Sequence, residues 1–417
     1  MTHILILTIA AASIALMLWR PFRLPEVVFT ASGALLLCAL RLIPMRSAGH
    51  AVAEGLDVYL FLTGMMLLSE LAKDYGVFDW LANIAVRHSR TSPVRLFAWI
   101  YGVGAVVTIC MSNDATAVVL TPAVLSAVKK ARAEPLPYLL ACAMIANAAS
   151  FVLPISNPAN LIVFHSAMPP LLQWLSLFAL PSVASILATY IVLRWLSRAS
   201  LSGLCNGKTA HVELSPAGKI SLSGIGGVAA VLLIASALKQ DLGLPTCLAA
   251  VVVVAIVEIR TRSNPIRLLR EISWSVLPLV AALFVIVEAV KSAGAMQLLL
   301  SAMAAVSCWP PPAGALAAAA SVGFATNVFN NLPLGLITGA TLQSAPFHPL
   351  LAKAVLIGID LGPNLSITGS LATILWLIAI RREGMHVSAW QFLKAGLVVM
   401  PVSLFVSMGA ALLIGNR

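Results

Sequence analysis

Ile109-Cys-Met-Ser-Asn-Asp-Ala-Thr-Ala-Val-Val-Leu-Thr-Pro122 places Ser112, Asn113 and Asp114 between two apolar runs, 95–111 and 115–128. Asp114 is the only acid between Asp79 and Glu134. An ionisable side chain in hydrocarbon costs about 2.5–3.5 kcal/mol on insertion scales and is retained where a function needs it. Asp is also a good helix N-cap, so Asp114 is expected to cap a helix starting at Ala115, a role compatible with function. The stretch has a counterpart in Thr326-Asn-Val-Phe-Asn-Asn-Leu-Pro-Leu-Gly-Leu336, where Asn330 and Asn331 take the places of Asn113 and Asp114. Two apolar runs around a short polar tip read as a helical hairpin.

The surroundings are those of a bilayer protein. Of 417 residues, 60% are hydrophobic and 10% charged, against about 25% charged in soluble domains. The mean hydropathy is +0.98. The net charge of +11 does not signal nucleic acid, because its Lys and Arg lie in short loops between apolar spans. No cleavable signal pattern is evident: Met1-Thr-His precedes an apolar run without a basic start. Cys38, Cys110, Cys142, Cys205, Cys247 and Cys308 show no paired spacing, so no disulfide framework is expected.

A span needs about 20 apolar residues. Such runs lie at 3–19, 24–44, 57–72, 137–165, 180–198, 220–238, 244–260, 274–290, 350–380 and 393–414. Amphipathic pieces at 77–90 and 294–306 precede the two hairpins, 95–128 and 312–345. Glu70-Leu-Ala-Lys73-Asp-Tyr-Gly76 recurs 218 residues on as Glu288-Ala-Val-Lys291-Ser-Ala-Gly294. Asn113 and Asn330 are 217 apart, and Leu24-Pro25 and Leu244-Pro245 are 220 apart. Three matches at nearly one shift indicate a duplication: a first repeat over 1–198, a linker over 199–219 and a second repeat over 220–417. Each repeat holds five spans and one re-entrant hairpin. A hairpin returns to its own side, so five spans turn the second repeat upside down, as in the inverted repeats of secondary transporters. The expected fold is an all-α polytopic membrane protein with broken helices at the midplane. With both termini outside, 20 of the 26 Lys and Arg fall on the side of the linker. The positive-inside bias then makes the linker cytoplasmic.

Each hairpin is followed by an interrupted span. Pro154 and Pro158 surround Ser156-Asn157 in the first. The second carries Asp360, Gly362, Pro363, Asn364, Thr368, Gly369 and Ser370. Proline removes an N–H and clashes with the preceding turn. Unwound backbone at membrane depth survives only where protein buries it or a cavity needs it. The candidate solute-binding residues are therefore Ser112, Asn113, Asp114, Thr116, Ser156, Asn157, Asn330, Asn331, Thr368, Gly369 and Ser370. This set is rich in amides and hydroxyls and has no Lys or Arg, which suits a small neutral hydroxyl-bearing solute. Half-helix N-termini leave a small anion open as well. Asp114 and Asp360 are the two acids deep enough to carry a proton. Glu70 and Glu288 sit near span ends and are expected to pair with Lys73 and Lys291.

At these residues the chain resembles the arsenite efflux permeases, the arsenical pump membrane proteins of the ion transporter superfamily. The likeness rests on Ser112-Asn-Asp-Ala-Thr-Ala-Val-Val-Leu-Thr-Pro122, Asn330-Asn-Leu-Pro333 and Gly358-Ile-Asp-Leu-Gly-Pro-Asn-Leu-Ser-Ile-Thr-Gly-Ser-Leu-Ala-Thr-Ile-Leu-Trp376, and it extends over the span layout of the whole chain. It implies residence in the cell inner membrane and efflux of arsenite and antimonite, neutral trivalent hydroxides, in exchange for protons. No cofactor and no bound metal is implied. Some relatives also work with a cytoplasmic ATPase; this chain has no Gly-x4-Gly-Lys-Ser/Thr loop, so ATP would be the partner's. The alternatives are a proton- or sodium-coupled carrier of another small solute, or a passive membrane subunit of an ATP-driven pump. Trivalent arsenic favours sulfur, which draws attention to Cys110 and Cys142. A tight thiolate site would slow release, so hydroxyl and amide ligands are the expected ones.

Overall fold

The computed structural model describes residues 2–21, 24–164, 168–205 and 213–414. It is helical throughout, with no strand among the described residues. Helices α1 (Thr2–Trp19) and α2 (Glu26–Ala39) form the first two apolar elements. The third is bent: α3 (Met45–Glu54) meets α4 (Leu56–Asp74) at 44°. A short α5 (Val77–His88) leads into the first hairpin, α6 (Pro93–Cys110) and α7 (Thr121–Lys130). The interrupted span follows as α8 (Pro135–Ala148) and α9 (Pro158–Val163), and α10 (Leu171–Leu196) closes the series.

A second series has the same order. It comprises α11 (Pro216–Ala237), α12 (Gly243–Thr261), a bent pair α13 (Pro265–Glu271) and α14 (Val276–Ser292), and the short α15 (Ala295–Ser307). Then come the hairpin α16 (Pro311–Phe329) and α17 (Asn331–Ser344), the interrupted α18 (Pro349–Leu361) and α19 (Leu371–Arg382), and α20 (Ala389–Ile414). Among the described residues six helices are long and apolar enough to cross a membrane alone, and the two bent pairs raise that number to eight. The expected span at 180–198 is longer, starting at Leu171. Helices α3 and α13 were not anticipated, because Arg46, His50 and Glu54 in one and Arg267, Arg270 and Glu271 in the other break the apolar pattern. Helix α11 starts at Pro216, inside the expected linker; 206–212 of that linker lie outside the described residues.

The helices pack as two groups. In one, α1 packs on α2, α2 on α14, α4 on α12 and α11 on α12. In the other, α6 packs on α8, α16 on α18, α9 on α17 and α10 on α20. Small residues set the closest approaches. A Cβ at Gly358 would lie 2.6 Å from the Ala319 carbonyl, and one at Gly362 would lie 2.3 Å from the Gly323 carbonyl, so α16 and α18 touch backbone to backbone. The hairpin tips and helix breaks belong to the second group and face α4 and α14 of the first.

Candidate functional site

The first tip turns at Met111. Ser112, not Asp114, is the capping side chain: its Oγ accepts the Ala115 N–H at 3.2 Å, and Asp114 already has helical backbone angles. Asp114 makes no side-chain hydrogen bond to the protein among the described residues. It keeps the benefit of a negative charge in a first helical turn while its carboxylate stays available. The return arm opens as a π-type stretch, Ala115–Leu120, before α7, a distortion common at functional sites. Thr116 sits inside the hairpin, bonded to Thr108 at 2.8 Å and to the Gly104 carbonyl at 3.4 Å. It holds the two arms together and does not line the cavity described below.

The second tip turns at Asn330, with φ 67° and ψ 152°. Side chains other than glycine's rarely adopt that region, and such strain costs about 1–3 kcal/mol. The Asn330 amide offsets it locally, since Oδ1 accepts the Leu332 N–H at 3.3 Å and Nδ2 donates to the Thr368 carbonyl at 3.1 Å. Asn331, in the first turn of α17, takes the place of Asp114.

At the first break, Asn157 accepts the Ala159 N–H and caps α9, and its Nδ2 donates to Asp360 Oδ1 at 2.7 Å. Ser156 donates to the Ile109 carbonyl at 3.1 Å and so fastens the break to the hairpin. Asn160 donates to the carbonyls of Ser150, Leu153 and Pro154, which the unwound chain would otherwise leave bare. At the second break, Ser370 caps α19 by accepting the Thr373 N–H at 3.1 Å. Thr368 donates to the Asn327 carbonyl, and Gly369 lies where a Cβ would be 2.5 Å from Pro363. The two breaks meet at Asn147 and Asn364, 217 residues apart. Asn147 Nδ2 donates to Asn364 Oδ1 at 3.0 Å, and Asn364 Nδ2 donates to the Met144 carbonyl at 3.1 Å. The sequence reading missed Asn147, Asn160, Asn327 and Thr373 as parts of this network.

A tight cavity of about 10 Å³, room for about one water, lies among these elements. Asn113, Asp114, Asn157, Asn331 and Ser370 line it, with Leu62, Val276 and Val280 closing the far wall. Asn113 Oδ1 and Asn331 Oδ1 are buried with no hydrogen-bond partner among the described residues. A buried unpaired acceptor costs about 1–3 kcal/mol, so both oxygens are prepared for a donor that enters the cavity. A second cavity of about 80 Å³ adjoins the first, shares Leu62, Asp114, Pro158 and Val276 with it, and runs past Ser112 and Met65 to Glu70. Among the described residues no Lys or Arg lines either. Thus five of the eleven expected binding residues line the small cavity and Ser112 lines its approach. Thr116, Ser156, Asn330 and Gly369 support the walls; Thr368 faces a separate opening beside Arg381 and His386. Asp360 is fully buried behind Asn157, lines neither cavity, and its Oδ2 has no hydrogen-bond partner among the described residues. Cys110 and Cys142 line neither cavity either.

The family model of the citrate transporters, CitMHS, matches residues 14–380. The chain belongs to this family. Within the ion transporter superfamily it is similar to curated proteins named arsenical pump membrane protein. One from Yersinia enterocolitica is 26% identical over 362 residues, 83% of each chain. One from Escherichia coli K12 is 27% identical over 364 residues, again 83% of each. Another from Escherichia coli is 24% identical over 419 residues, covering 95% of this chain and 96% of its own. The solved YdaH transporter of Alcanivorax borkumensis shares the fold, with a TM-score of 0.54 at 14% identity over 88% of this chain and 86% of that one. This CitMHS member is therefore a multi-pass membrane protein of a transporter family.

Proposed function

We propose that this CitMHS protein exports arsenite and antimonite, as neutral trivalent hydroxides, in exchange for protons. The observation that carries the reading is the pair of amide oxygens, Asn113 Oδ1 and Asn331 Oδ1, that have no partner among the described residues, in a cavity that no described cationic side chain lines. The cavity as it stands holds about one water, so the tips and the facing α4 and α14 part to admit a trihydroxide, which then donates hydrogen bonds to both oxygens, with Asn157 and Ser370 offering further amide and hydroxyl groups. Citrate, the solute in the family's name, fits this site badly. A tricarboxylate calls for Arg or Lys partners, and here it would meet the Asp114 carboxylate instead. The names of the curated relatives point the same way.

A neutral solute draws nothing from the membrane potential alone. Exchange for one proton couples it to about 2.3 kcal/mol per 100 mV. Asp114 is the group we assign to that proton, because it lines the solute cavity and its carboxylate has no hydrogen-bond partner among the described residues. Asp360 is engaged with Asn157 and serves the architecture of the break. We read residues 1–198 and 220–417 as inverted repeats joined by a cytoplasmic linker, in the cell inner membrane with both termini outside. A cytoplasmic arsenite-stimulated ATPase is an accessory partner in this reading, not a requirement. The test is uptake into everted vesicles energised by a proton gradient, without any ATPase subunit. Arsenite uptake, with no citrate uptake and no sodium requirement, is expected. Citrate uptake without arsenite uptake overturns the reading.

A further inference from the structure

The larger cavity has a second acid on its wall. Glu70, near the end of α4, lines it together with Ile272 and Ser273 of the turn between α13 and α14. Lys73, one turn further on, bonds the Glu70 carboxylate, and its Nζ also donates to Glu271 Oε2 at 3.2 Å. Asp74 completes the group: carboxylate oxygens of Glu70, Asp74 and Glu271 lie within 4.8 Å of one another. Arg267 faces Glu271 from the same helix at 3.6 Å. The Glu70 side chain is 11% exposed and that of Glu271 38%, so the group runs from the cavity wall to the protein surface.

The arrangement occurs twice. Glu288 and Lys291 of α14 are bonded at 3.1 Å. They line another cavity, of about 130 Å³, with Glu54 at the end of α3. Glu54 precedes Glu271 by 217 residues, and Glu70 and Lys73 precede Glu288 and Lys291 by 218. Each Glu–Lys pair comes from one series of helices and has a third acid from the other beside it: Glu271 bonds Lys73 behind the Glu70 wall of the first cavity, and Glu54 lines the second cavity with Glu288 and Lys291. The two cavities differ in reach. The Glu70 cavity is lined by Ser112 and Asp114 of the first tip, whereas neither Asn330 nor Asn331 of the second tip lines the Glu288 cavity.

We propose that Glu70 is the proton relay between Asp114 and the cytoplasm, and that Glu288 is its counterpart for the opposite face. The proposal rests on the antiport reading above. Apart from Ser69, Ser112 and Ser273, the wall between Asp114 and Glu70 is apolar, built from residues such as Phe61, Leu62, Met65 and Val118. Glu70 is the other ionisable group on that wall. The Asp114 O–H bond breaks toward cavity water, and water passes the proton to a Glu70 oxygen, forming a new O–H bond. That bond then breaks toward bulk water past Asp74 and Glu271. Lys73 is shared, so when Glu70 is neutral its ammonium keeps Glu271 and is not stranded beside an apolar wall. Glu70 contacts no solute in this scheme; it acts through Asp114.

The test uses the full chain in everted vesicles, whose outer face is the cytoplasmic one. With Glu70→Gln, proton-driven arsenite uptake at low buffer concentration should fall by about 10²-fold, the lower end for loss of a positioned proton carrier. A small impermeant sulfonate buffer added to the medium should restore it, and gradient-free exchange of labelled for unlabelled arsenite should stay unchanged. Glu70→Asp should keep most of the driven rate. Glu288→Gln should respond to the same buffer only when it is trapped in the lumen. Loss of driven uptake and exchange together, without buffer rescue, overturns the relay, as does a wild-type driven rate in Glu70→Gln. If the unaltered protein carries arsenite with no proton coupling, the antiport reading itself has failed and the relay falls with it.

Discussion

Replacing Asn331 by Leu should stabilise the empty protein and weaken solute binding at once. Leu approximates the shape of Asn but removes the buried Oδ1 that has no partner among the described residues. That oxygen costs the empty protein about 1–3 kcal/mol. Its loss should raise the unfolding midpoint, and Leu in the first turn of α17 should not oppose the gain. The bound solute loses the same interaction, so its affinity should fall about 5–150-fold. Thermal unfolding of the purified protein, with and without arsenite, reads both effects. The wild-type protein should gain stability from arsenite, and the variant should start higher and gain less. Asn113→Leu should behave alike, since Asn113 Oδ1 is equally bare. A variant that is less stable than wild type yet binds arsenite normally would refute the reasoning, because the amide would then be serving the fold.

Asn364→Ala should act in the opposite sense. It removes the 3.0 Å partner of Asn147 Nδ2, leaving the longer bonds to the Ala143 carbonyl at 3.5 Å and Thr373 Oγ1 at 3.4 Å, and takes the Asn364 donor from the Met144 carbonyl, so thermal stability should fall by about 1 kcal/mol per hydrogen bond lost; an unchanged midpoint would contradict the bridge. Asn330→Ala should lower transport through the second tip's shape, and Asn330→Gly, which relieves the φ of 67°, should fold better than Asn330→Ala; the reverse order would show that strain is not limiting. Cys110→Ser with Cys142→Ser should leave arsenite resistance largely intact, because neither residue lines the cavity; complete loss at normal protein level would point to a thiol site. A cysteine placed at 208 should be protected from an impermeant thiol reagent in intact cells, and ready labelling there would invert the topology.

The two tips and the two breaks were legible in the sequence because each sets polar residues into an apolar run, and hydrocarbon makes such residues conspicuous. Whether a polar residue lines the cavity or supports its wall was not legible. Thr116 and Asn113 are three residues apart, yet one faces the partner arm and the other the cavity, and that depends on how the π-type stretch rotates the chain. The capping role went to Ser112 rather than Asp114 because the helix begins two residues earlier than expected, and both residue types cap well. The Asn147–Asn364 bridge had a signal: its members are 217 residues apart, the same offset as Asn113 and Asn330. The sharing of Lys73 between Glu70 and Glu271 had none, since an i,i+3 pair does not reveal a third acid 198 residues away.

The central claim is that a proton and a neutral metalloid hydroxide use the Asp114 cavity in turn. Purified wild-type protein and Asp114→Asn, each in proteoliposomes under an imposed pH gradient, test it most directly. Wild type should accumulate arsenite against its gradient, with proton movement in the opposite direction. Asp114→Asn should still show a thermal shift with arsenite but accumulate none, since the amide keeps the shape and loses the titration. Concentrative uptake by Asp114→Asn, with its loss in Asp360→Asn instead, would contradict the account.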